Sequence, residues 1–82
     1  MRSGDFAFMS KLNRTVGKVI ANLRREADST QEALAFECDL HPTYISQIER
    51  GLKSPTIGAL FLIAKALNKN PSSILAAVEK AL

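Results

Sequence analysis

Apolar residues recur along this chain with the 3.6-residue period of a helix, and no stretch alternates convincingly with the two-residue period of a strand. Leu12, Val16, Val19, Ile20, Leu23 and Ala27 share one face of a first segment spanning roughly 11–27. Lys11, Arg14, Lys18 and Arg25 fall mostly on its other faces and read as a largely solvated surface, with Arg14 and Lys18 the ones placed to approach a polyanion. Each later segment repeats the amphipathic pattern on a shorter scale. That repetition predicts an all-α bundle of five helices.

The breaks between segments carry residues that start and stop helices. Thr30 reads as the N-cap of a second helix over 31–38, with Ser29 and Glu32 as an alternative capping box, and Leu34, Ala35 and Cys38 inward. Asp39 sits in the following turn and is one of the few non-glycine types that tolerate a left-handed backbone. Pro42 suits the first position of a third helix, since the N–H it lacks is not needed there, and Gly51 ends that helix at about Arg50. Thr56 caps a fourth helix over 57–67, with Ile57, Leu60, Ile63, Ala64 and Leu67 inward, and Asn68 closes it. Asn70 and Pro71 open a fifth, striped by Ile74, Leu75, Val78 and Leu82. Residues 1–10 fit no period. They read as an N-terminal arm ahead of a domain over 11–82: mobile, packed through Phe6 and Phe8, or foreign sequence before a start at Met9.

Size and charge narrow the function classes. A chain of 82 residues with 46% hydrophobic content supports one small core and no deep cleft. The formal charge of +3 permits a polyanionic partner without requiring one. Cys38 is the only cysteine, so no intrachain disulfide forms, which fits a reducing compartment, and Cys38 itself reads as a small core residue. No apolar run reaches the 18 to 20 residues of a membrane span. The expectation is a soluble, cytoplasmic chain. His41, the lone histidine, has no partners at ligand spacing for a metal, and it forms no nucleophile–base–orienter set with Cys38. No catalytic residue, cofactor, metal or small-molecule ligand is expected.

The densest information lies in "QEALAFECDLHPTYISQIERG", residues 31–51. Counted from Gln31, the small Ala35 stands fifth and Asp39 ninth. A small residue there lets two helices cross closely and steeply, and a short turn then fixes the angle, as in a helix-turn-helix. This leaves the polar edge of the third helix protruding. A helix about 10 to 12 Å across matches a DNA major groove about 12 Å wide. Gln47 can bond adenine two-pronged, Thr43 offers a hydroxyl and a methyl, and Arg50 and Lys53 supply charge for phosphate. Backbone N–H groups at the start of the second helix also suit an anion.

Taken together, "TQEALA", "YISQIERG" and "LIAKAL" resemble the Cro/cI-type, or XRE, helix-turn-helix family over roughly residues 12–75. The resemblance implies a lambda-repressor-like bundle of four or five helices that binds DNA, usually as a dimer, without catalysis. Carried onto this chain, it places Pro42, Thr43, Ser46 and Gln47 at base edges. It places Gln31, Tyr44, Arg50 and Lys53 at or near phosphate, with Gln31 alternatively supporting a base-contacting side chain, and Tyr44 alternatively half in the core. Arg24 and Glu49 resemble the ion pair that joins the first helix to the end of the third. Two departures stand out. Asp39 replaces the usual turn glycine, and His41-Pro42 replaces a polar pair such as Ser-Arg. Proline donates no hydrogen bond, so a thymine methyl is its expected contact.

The function expected from this resemblance is a small prokaryotic or phage transcriptional regulator, a repressor or activator. It would bind a palindromic operator as a homodimer through the third helix. Restriction–modification controllers and phage regulators fit the length, and a toxin-binding tail is not evident. Ile74, Leu75, Val78 and Leu82 are the expected dimer surface. The alternative is a protein-interaction module that keeps the bundle without binding DNA.

Overall fold

Every helix in the protein starts or stops at an identifiable local interaction. The computed structural model describes residues 3–82: α1 (Ser3–Glu26), α2 (Gln31–Cys38), α3 (Pro42–Glu49), α4 (Ile57–Ala66) and α5 (Pro71–Ala81), with no strand among them. Thr30 Oγ1 accepts from the Ala33 N–H at 3.0 Å, and Thr56 Oγ1 from the Ala59 N–H at 3.0 Å. Asn70 occupies the N-cap of α5 without a side-chain cap bond; Pro71 sets the first turn there.

The first four helices end alike. Asp28, Asp39, Gly51 and Asn68 have φ of 54°, 55°, 76° and 57°, in the left-handed region. In each case the next N–H reaches back to a carbonyl five residues earlier: Ser29 to Arg24, Leu40 to Ala35, Leu52 to Gln47 and Lys69 to Ala64, at 2.8–3.1 Å. These are Schellman closures, which satisfy carbonyls that a helix end otherwise leaves open. Asp28 was not singled out in the sequence, because the caps beside it dominate the reading of that break.

α1 departs most from expectation. The helix begins at Ser3 and runs for 24 residues, so residues 3–10 are helical and not an irregular arm; residues 1 and 2 lie outside the described part of the chain. Nothing between Asp5 and Ser10 breaks a helix, and Asp5 in the first turn favours the positive end of its dipole. A helix already nucleated by packing extends at little cost. Phe6 and Phe8 stay more than half exposed, so this extension is not packed down through them.

α2 packs on α3 and α4, α1 on α3 and α5, and α4 on α5. The core comprises Ile20, Leu34, Ala35, Cys38, Ile45, Ile48, Ile63, Ala64, Ile74 and Val78, each at most 3% exposed, with Val16, Leu60 and Leu67 at its edge. Fully burying one such isoleucine or leucine contributes about 1.5–3 kcal/mol. Three positions depart from the sequence reading. Ile57, expected inward, is 71% exposed in the first turn of α4, where it lines a shallow groove with Leu12 and Leu75. Ile74 and Val78, expected at a subunit interface, are 1% and 3% exposed. In the monomer both side chains are taken up by its own core, at the floor of that groove. Of that stripe, Leu75 and Leu82 remain on the surface.

One close approach sets the position of α1 on α3. A Cβ on Gly17 would overlap the carbonyl oxygen of Ile48 and stand 2.6 Å from that of Glu49. Only a residue without a side chain lets the two backbones meet there. Gly17→Ala is therefore expected to cost about 3 kcal/mol, the upper end of the overpacking range. A urea titration checks this, and wild-type stability in the variant would refute the contact.

Candidate nucleic-acid interface

The start of α3 is shaped by His41 and Pro42. His41 Nδ1 accepts from the Thr43 N–H at 3.0 Å, and Pro42 supplies the first helical φ. From there Thr43, Gln47 and Arg50 follow at helical spacing on one edge, opposite the buried Ile45 and Ile48. Pro42, Thr43 and Arg50 are exposed; Ser46 and Gln47 are half-buried. Among the described residues, none hydrogen-bonds the side chains of Thr43, Ser46 or Gln47. Thr43 and Arg50 therefore stand clear of the bundle, and Gln47 between them, though half-buried, keeps its donors and acceptor uncommitted.

Behind that edge lies a buried charged network. Arg24 Nε donates to Glu49 Oε2 at 2.7 Å and Nη2 to Oε1 at 2.9 Å, a two-pronged pair. Arg24 Nη1 donates to the Ser29 carbonyl at 2.8 Å, and Gln31 Nε2 donates to Glu49 Oε1 at 3.0 Å. The two charged side chains are 11% and 4% exposed. This joins the end of α1, the start of α2 and the end of α3. Burial by itself pushes the Glu49 carboxyl up, but the Arg24 and Gln31 hydrogen bonds, with the charges of Arg24 and Arg25, outweigh it and hold the group below the usual carboxylate range. The hydrogen bond to Glu49 raises Arg24 in turn, against the opposing effect of burial.

The network also fixes what Gln31 can offer. One N–H of its amide donates to Glu49, so the donors left at the start of α2 are the second amide N–H and the backbone N–H groups of Gln31 and Glu32; those of Ala33 and Leu34 are taken by Thr30. Tyr44 is half-buried against the core, and its hydroxyl accepts from the Thr56 N–H at 3.2 Å. That bond ties α3 to the cap of α4 and leaves the O–H proton free to donate. Arg50 and Lys53 are exposed on either side of the Gly51 turn. Burial, with Glu37 nearby, raises the Cys38 thiol, in keeping with an inert core residue.

Two features of this region were not read from the sequence: the seating of Gly17 on the end of α3, and that of Arg14 over Gly51, whose Cβ position lies 2.8 Å from Arg14 Cγ. A glycine inside an amphipathic helix is the signal that could have found the first.

Residues 20–74 match the sequence profile of the family described as Helix-turn-helix. The chain is 43% identical over 60 residues to the control protein C.BamHI of Bacillus amyloliquefaciens, covering 72% of this chain and 74% of that protein. It is 32% identical over 75 residues to the control protein C.SmaI of Serratia marcescens, covering 92% and 88%. Among solved structures it superposes on the restriction-modification controller protein C.Esp1396I, crystallised as a tetramer with its natural 35 base-pair operator. That likeness has a TM-score of 0.76 at 39% identity over 84% of this chain and 91% of that one.

The pKa direction of Glu49 sets a pH dependence. Its carboxyl is depressed in the fold, so its contribution is complete above the unfolded glutamate value near 4.3 and is lost as pH falls through the lower folded value. Urea melts should show wild-type stability declining across that acidic window and a flatter response in Glu49→Gln. At neutral pH, Glu49→Ala should cost about 3–5 kcal/mol by stranding Arg24. An acid response unchanged in Glu49→Gln would show that this group does not carry the linkage.

Proposed function

The chain belongs to the helix-turn-helix family, and on that premise we propose that it is a sequence-specific regulator of transcription that binds double-stranded DNA. It acts as a homodimer, with α3 of each copy in the major groove of a palindromic operator. The observation that carries this reading is the uncommitted edge Thr43–Gln47–Arg50, held outward by the buried Arg24–Glu49–Gln31 network. Within the class, the likeness to proteins named as control proteins favours a controller of a restriction–modification system. The protein works in the cytoplasm, on the nucleoid when bound, and neither a catalytic activity nor a cofactor is assigned to it.

The roles follow from chemistry and exposure. Gln47 pairs with adenine, Thr43 and Ser46 touch neighbouring base edges, and Pro42 contacts a thymine methyl. Arg50, Lys53, the Tyr44 hydroxyl and the N–H groups at the start of α2 hold phosphate and set the register. Half-sites then lie about 34 Å apart, one helical turn. The subunit contact uses the apolar surface that the core leaves over, Leu75 and Leu82 with Ile57 beside Leu75.

Selection of bound sites from random duplexes should return a two-fold symmetric sequence. On that operator, Gln47→Ala should cost about 1–3 kcal/mol and relax discrimination at one base pair of each half-site. Arg50→Ala should weaken all sequences alike and flatten the salt dependence by about one unit per subunit. If Gln47→Ala and Thr43→Ala both protect the site as wild type does, α3 is not the reader. A wild-type chain that binds no duplex even at low salt would point to a protein-interaction module instead.

Sedimentation tests the dimer. Leu75→Glu should shift the protein toward monomer with little change in melting temperature, since Leu75 is 47% exposed. A variant that sediments as wild type would move the interface elsewhere.

A further inference from the structure

We propose that α1 carries a second phosphate-binding strip, Lys11, Arg14 and Lys18, that grips the duplex outside the half-site read by α3. The inference rests on the DNA-binding reading above and adds a surface to it. These three residues stand at helical spacing on one face of α1, and all are exposed. Their place in the fold is set by two close contacts. Gly17 lies against the Ile48 and Glu49 carbonyls, and a Cβ on Gly51 would stand 2.9 Å from Arg14 Cα. α1 therefore crosses the C-terminal end of α3, and the stem of Arg14 rests on the turn that carries Arg50 and Lys53.

The electrostatics single out this end of the molecule. Arg14 spends one nitrogen on Ser10 Oγ at 2.6 Å, which leaves most of its five donors free. Among the described residues no carboxylate pairs with Lys11, Arg14, Lys18, Arg50 or Lys53. Glu49, the nearest acid along α3, is turned inward onto Arg24. Together these five cations carry +5 against a whole-chain formal charge of +3, so the remaining residues sum to −2, and Arg14 meets the turn that separates Arg50 from Lys53. Exposed cations without carboxylate partners are what a polyanion site requires. The seven helical steps from Lys11 to Lys18 span about 10 Å, the axial length of about three phosphates on one strand. The strip recognises backbone charge and reads no bases.

The test compares wild type with Lys11→Gln/Arg14→Gln/Lys18→Gln on the selected operator, once with about ten flanking base pairs on each side, one helical turn, and once trimmed to the half-site edges. On the long duplex, wild type should show a steeper salt dependence than the variant by up to about 2.7 units per subunit. Trimming should reduce the wild-type slope and leave the variant's unchanged. Lys11→Gln/Lys18→Gln keeps the Arg14 stem seated on Gly51 and should show about two-thirds of the effect at about 0.9 unit per charge removed, so that a folding defect at Arg14 cannot mimic the result. Equal slopes for wild type and both variants, or a wild type indifferent to trimming, would overturn the strip while leaving α3 as reader. Failure of wild type to bind either duplex would remove the DNA-binding reading itself, and this inference with it.

Discussion

The buried pair of Arg24 and Glu49 is the interaction from which the geometry of this protein follows. A carboxylate 4% exposed is tolerable only if its oxygens are filled, and three donors from two other helices fill them. Such a pair contributes little net stability over an apolar replacement, because desolvation offsets the attraction. Its contribution is angular. Guanidinium and carboxylate meet two-pronged in one plane only, so the end of α3 is fixed relative to α1 and, through Gln31, to the start of α2. An apolar contact of equal area would allow these helices to slide.

Small residues let that bond form. Gly17 brings α1 down onto the last carbonyls of α3, and Ala35, fully buried, lets α2 and α3 pack closely. The Tyr44–Thr56 bond then ties α3 to the beginning of α4. Held from behind and along its flank, α3 presents Thr43, Gln47 and Arg50 on a rigid element. Reading a duplex from a preset edge avoids the cost of ordering that edge on binding. The same crossing that seats α1 on α3 rests Arg14 on the Gly51 turn, between Arg50 and Lys53, so one packing event sets both the reading edge and the place of that cation.

Much of this was legible beforehand. Thr30, Thr56 and Pro71 marked helix starts, and Asp39, Gly51 and Asn68 marked ends, because each acts through bonds to residues within a few positions. The buried faces of α2 and α3 and the exposure of Thr43 also followed from period alone. The helical residues 3–10 did not, since a segment without a core face carries no periodic signal even where nothing stops it from being helical. Ile57 and the α5 stripe were misjudged for a related reason. An apolar side chain at the correct spacing looks the same whether it faces its own core, a groove or another subunit. Gln31 reads as a phosphate contact or a support for a base-contacting side chain, and spacing gives no sign that one N–H of its amide reaches an acid 18 positions away.

The sequence by itself determined how many helices this chain forms past residue 10 and where most of them end, because capping, left-handed closure and the fixed φ of proline are short-range. It also determined the chemistry available on α3. Only the tertiary structure decided which apolar residues the monomer keeps for itself and how far α1 continues. It also decided that Arg14 lies over Gly51 and Gln31 beside Glu49. Those outcomes depend on backbones and charges far apart in the chain meeting at particular distances, and spacing along one strand of sequence carries no record of that.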